Sequence, residues 1–95
     1  MTVDEVKMEL EKIVSNLTSS GFGKIDSNVV ERLEKLIVVA EELNMNEGKR
    51  LIENLVSAMK SDTGKESKIK SCNVRLMALD FYLKKLSQGA NTEDQ

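Results

Sequence analysis

IKSCNVRLMALDFYLKKL, residues 69–86, is the stretch on which the fold turns. Ile69, Cys72, Leu76, Leu79, Leu83 and Leu86 fall at spacings of 3, 4, 3, 4, 3. A helix advances about 100° per residue, so this spacing stacks them into one continuous apolar seam of the heptad kind. Val74, Met77 and Phe81 add a second stripe, which we place beside the seam. A helix apolar over so wide an arc is expected to touch more than one neighbour. The pattern predicts a helix over 65–87, the longest in the chain at ~35 Å.

Working outward, three more helical stripes precede it. Val3, Val6, Leu10, Ile13, Val14 and Leu17 mark a helix over 2–18. Thr2 and Glu5 have the spacing of a capping box, with Met1 and Val6 as its hydrophobic staple. Val29, Val30, Leu33, Leu36, Ile37, Ala40 and Leu43 mark a helix over 27–43, and Leu51, Ile52, Leu55, Val56 and Met59 one over 47–60. Asn44 suits the left-handed position that ends one helix, and Asn46 suits the cap of the next. So short a link makes the second and third helices an antiparallel hairpin. No strand pattern or internal repeat is present.

The sequence therefore predicts an all-α protein, a small up-and-down four-helix bundle spanning 1–87 with a disordered polar tail at 88–95. A three-helix bundle with a loosely packed N-terminal helix is the alternative. With Phe22, Phe81 and Tyr82 the only aromatic residues, the core must be aliphatic. There is no proline to break a helix.

SSGFGKIDS, residues 19–27, superficially suggests a phosphate loop. The order is wrong for one: the glycines are two apart, Ile25 follows Lys24 where a hydroxyl is needed, and a helix precedes it. The connector reading uses nearly every residue. Gly21 supplies a positive φ, Phe22 folds back towards Leu17, and Asp26 caps the second helix with Ile25 and Val30 as staple.

Chemistry is scarce. There is no histidine, which removes the usual general base, the usual metal ligand and any phosphohistidine. One cysteine and no histidine make no zinc site. The pairs Glu5/Glu9, Glu31/Glu34 and Glu41/Glu42 fall on solvent-facing positions, and 61–67 is too short and too poor in acids for a calcium loop. Lys68, Lys70 and Arg75 lie close in sequence to Cys72 and would suit a reactive thiol, but its place in the seam favours a small buried apolar residue. We expect no enzyme activity, no cofactor, no metal and no small-molecule substrate. A single thiol, no basic signal region and no apolar run near the ~20 residues of a membrane span point to a cytoplasmic protein that does not enter membranes.

Charge is unevenly spread. Residues 1–59 hold 7 basic and 11 acidic side chains, whereas 60–86 hold 7 basic and 3 acidic. Lys65, Lys68 and Lys70 open the last helix, where the helix dipole disfavours cations by a few tenths of a kcal/mol each. Either the acidic helices neutralise this basic segment from within, or an acidic partner does so from outside. Met8, Met45, Met59 and Met77 supply adaptable apolar surface. The expected function is a non-catalytic protein–protein interaction domain: an adaptor, a regulator or a chaperone-like subunit. Its partner is another protein or a second copy of the chain, paired through the 69–86 seam. Its expected contact residues are Lys65, Lys68, Lys70, Arg75, Met77, Phe81 and Tyr82. The alternative is a small nucleic-acid-binding regulator using the basic 60–75 segment, a reading weakened by the net negative charge and the lack of aromatics among the lysines.

Overall fold

In the computed structural model, which describes residues 1–22, 27–61 and 64–93, every regular element is a helix. They are α1 (Val3–Ser20), α2 (Ser27–Glu42), α3 (Asn46–Lys60) and α4 (Lys65–Glu93). Each helix packs on its neighbours in sequence, and α4 closes the ring against α1. The result is a four-helix bundle measuring 40 × 22 × 19 Å. α1 is a full member of it. Val6, Leu10, Ile13, Val14 and Leu17 are all buried, so the arrangement with a loosely packed first helix is not what forms.

The helix ends follow from local chemistry. At the start of α1, Thr2 and Glu5 exchange the expected bonds: Thr2 N–H donates to Glu5 Oε1 at 2.8 Å, and Glu5 N–H to Thr2 Oγ1 at 3.2 Å. The expected staple does not close, because Met1 is 60% exposed above the buried Val6. α1 runs two residues beyond the expected end. The hydroxyls of Thr18 and Ser20 donate back to the carbonyls of Val14 and Asn16, holding that last turn. Gly21 then takes φ +77° as expected, but with ψ −175° rather than the left-handed helical value. Its N–H donates to Leu17 O at 2.8 Å, and Phe22 is buried in the core with Leu17. The expected roles of Lys24, Ile25 and Asp26 lie outside the described residues.

The α2–α3 turn is tighter than the sequence suggests. Asn44 has φ +62°, its N–H donates to Glu41 O at 3.2 Å, and Met45 N–H reaches back to Ala40 O at 2.8 Å. That is a Schellman closure with Asn44 in the left-handed place and Met45 next after it. Such a closure wants Met45 folded against the helix it ends, and Met45 is indeed buried, as is Ala40. Met45 is therefore also the N-cap of α3, with no side-chain cap bond, and Asn46 is already helical rather than capping.

The core is aliphatic throughout, with Leu10, Leu33, Ile52, Leu55, Leu79 and Leu83 fully buried and no polar side chain buried among the described residues. Each such leucine contributes roughly 1.5–3 kcal/mol by leaving water. α4 continues to Glu93, six residues past the expected end at 87. No proline stands in 88–93 to stop it. Asp94 and Gln95, the end of the expected polar tail, lie outside the described residues.

Candidate functional site

α4 presents two apolar faces to two environments. The seam residues Cys72, Leu76, Leu79, Leu83 and Leu86 are buried, and Ile69 packs partly buried beside them. The seam is thus filled by the chain's own α1 and α3, and the expected seam-to-seam dimer has no surface left to use. The second stripe points the other way. Val74, Met77 and Phe81 are 62%, 70% and 65% exposed. At about 100° per residue, the three lie roughly opposite the seam rather than beside it. Ala78 is exposed with them. Isolated exposed apolar residues are ordinary; these three large ones lie in register on one helix and form a strip.

The strip has a basic rim. Lys70 and Arg75 are exposed and, among the described residues, make no ion pair. Lys85 Nζ lies 5.7 Å from the centre of the Phe81 ring, a cation–π distance. Lys84 pairs with Asp80 on its own helix at 3.1 Å. Several carboxylates of the acidic helices are engaged elsewhere. Glu9 joins Arg32 at 3.1 Å between α1 and α2, and Glu41 joins Lys49 at 3.3 Å between α2 and α3. Glu34 joins Lys60, which among the described residues is the one member of the basic segment paired with an acidic helix. Among the described residues no ion pair ties α4 to another helix. Internal neutralisation therefore accounts for Lys60 and not for Lys70 or Arg75.

The remaining expected contact residues divide. Lys68 is half-buried and near Cys72, and the side chain of Lys65 lies outside the described residues. Tyr82 belongs to the fold. It is partly buried against the core, and its ring lies over the first turn of α3, where a β-carbon on Gly48 would sit 3.0 Å from the hydroxyl. Val74, absent from the expected contact set, is exposed in register with Met77 and Phe81. Its spacing of three and seven from Met77 and Phe81 carries the signal. The methionines divide similarly: Met45 and Met59 fill the core, while Met8 and Met77 are exposed.

Elsewhere the surface carries little chemistry. Cys72 is fully buried, and that burial pushes its thiol above the ordinary value of 9.0, with Lys68 opposing the shift. A thiolate nucleophile needs the opposite environment. The groove between α2 and α3, about 580 Å³, is crossed by the Glu34–Lys60 pair. A smaller cleft of about 230 Å³ lies by the α2–α3 turn, walled by Asn44, Glu47 and Tyr82. Among the described residues no group of three or more Cys, Asp or Glu side chains is placed to hold a metal ion. No helix among them is long and apolar enough to cross a membrane. No family model matches the chain, and no curated protein or solved structure matches it either.

Proposed function

We propose that this protein is a non-catalytic interaction module that binds another protein through the solvent face of α4. The observation that carries the reading is the exposure of Val74, Met77 and Phe81, three large apolar side chains in helical register that the bundle leaves in water. Leaving such side chains exposed forgoes roughly 1.5–3 kcal/mol apiece, and covering them on association recovers part of it. The rim of Lys70, Arg75 and Lys85 supplies direction, because charges around an apolar centre favour one partner and one orientation. Adaptor, regulator and assembly subunit are all roles such a face can serve. A cytoplasmic setting agrees with the single reduced thiol.

Nucleic acid is the second reading, favoured by Lys70 and Arg75 standing without an anionic partner among the described residues. It is the weaker one, since a phosphate backbone does nothing for the apolar strip that runs on from those cations.

Affinity capture from the native cells tests the two together. The bait is the intact chain, compared with Val74→Ser/Met77→Ser/Phe81→Ser and with Met8→Ser as control. Proteins retained by the intact chain and the control, and lost by the triple variant, are the expected result. Identical captures by all three baits would remove the strip from the function. A gel shift with RNA or DNA that fades steeply above ~50 mM salt would favour the second reading, because each neutralised phosphate releases counterions.

A further inference from the structure

Resting on the reading that the α4 strip is a docking face, we propose that its occupant is an amphipathic helix of another protein, with acidic side chains flanking its apolar ridge. Shape is the first argument. Val74 to Phe81 spans two helical turns, roughly 10 Å, on a convex ridge, which another helix meets by fitting its own ridge alongside. No strand exists among the described residues, so an extended peptide has no sheet edge to join. Beside the strip, Ser67, Lys70, Ser71, Val74 and Arg75 line a shallow groove of about 360 Å³. The serines there leave room for a neighbouring helix to come close.

Charge is the second argument, and it selects the partner. The cations around the strip are Lys70, Arg75, Lys84 and Lys85; of the two acids near them, Asp80 is already held by Lys84, and Glu66, one turn before Lys70, makes no ion pair with it. A flank of glutamates or aspartates answers Lys70 and Arg75, which have no counter-ion on this chain among the described residues. A second copy of α4 answers Lys70 badly. Two strips laid antiparallel about Met77 and Ala78 bring Lys70 of one copy towards Lys85 of the other. Laid parallel, they put Lys70 against Lys70. Like charges brought together at a contact are costly, so self-pairing through this face is disfavoured.

The test uses the full chain, labelled with ¹⁵N, and two synthetic helical peptides. Both carry leucine at i, i+3 and i+7; one has glutamate at the flanking positions and the other lysine. At about 50 mM salt, where charge is weakly screened, the glutamate peptide is expected to shift the amide signals of residues 70–85. We expect it to bind about tenfold or more tightly than the lysine peptide. Lys70→Glu/Arg75→Glu, two exposed substitutions whose folding is checked by circular dichroism, should invert that preference. Equal affinity for both peptides would overturn the acidic partner while leaving the docking face standing. Shifts confined to other helices, or none with either peptide, would overturn the docking face as well. Concentration-dependent broadening of the α4 signals without peptide would identify a second copy as the occupant, against the proposal.

Discussion

The inner and outer faces of α4 hold similar residues and meet opposite fates. Leu79 and Leu83 are buried between α1 and α3, whereas Met77 and Phe81, each two positions earlier, stand in water. Two residues along a helix is about 200°, enough to pass from the centre of the bundle to its outside. Hydrophobicity alone therefore does not say what a residue is for. One apolar face on a helix serves folding. A second face that the fold leaves uncovered asks for another explanation, and binding is the one we propose.

Substitutions on the two faces should differ in kind. Leu79→Asp puts a carboxylate where relative exposure is 0%, and the expected outcome is loss of cooperative thermal unfolding. Leu79→Ala is gentler and should cost about 2–5 kcal/mol by urea denaturation. A cost under 1 kcal/mol would mean the seam is not the core of the bundle.

Tyr82 marks the border between the faces and sharpens the comparison. In an open helix, replacing glycine by alanine stabilises by up to ~1 kcal/mol. At Gly48 the new methyl would meet Tyr82 atoms at 3.0–3.3 Å, so that gain should vanish. In a Tyr82→Ala background it should return, giving a coupling of about 0.5–1 kcal/mol in a double-mutant cycle. Additive effects would place Tyr82 with the outer strip after all.

Cys72 reports on the seam through pH. Burial raises the thiol's pKa in the folded chain above its ordinary value of 9.0. Above that pH the unfolded chain gives up the proton while the folded chain keeps it, so stability present at neutral pH declines as the medium becomes alkaline. The decline should be smaller in Cys72→Ala, measured against its own neutral value. In the native state the thiol should react with a disulfide reagent far more slowly than in urea. Rapid native labelling would mean the seam opens readily. The smallest expected effect is at the rim: Lys85→Gln removes an exposed cation–π contact and should change stability by no more than about 1 kcal/mol.

The seam spacing of 3 and 4, the Thr2–Glu5 box, and the turn residues Gly21 and Asn44 made four helices and most of their ends legible in sequence. These signals are local, complete within a few residues of chain. What was not legible depends on distant partners. Nothing near Gly48 announces Tyr82, and nothing near Met1 says that it stays in water above Val6. The strip itself was half legible. Val74, Met77 and Phe81 stand out by spacing, but their exposure becomes plain only once α1 and α3 have claimed the seam. The same holds for the basic segment. Lys60 finds Glu34 on the neighbouring helix, while Lys70 and Arg75, both exposed on α4, meet no carboxylate among the described residues.

The most direct test of the division between the faces is the urea midpoint of Val74→Ser/Met77→Ser/Phe81→Ser beside that of Leu79→Ala. Our account predicts an unchanged slope and a midpoint near that of the parent chain for the triple variant, each site costing within about 0.5 kcal/mol. A fall as large as that of Leu79→Ala would show the outer strip to be part of the fold, and would contradict the account.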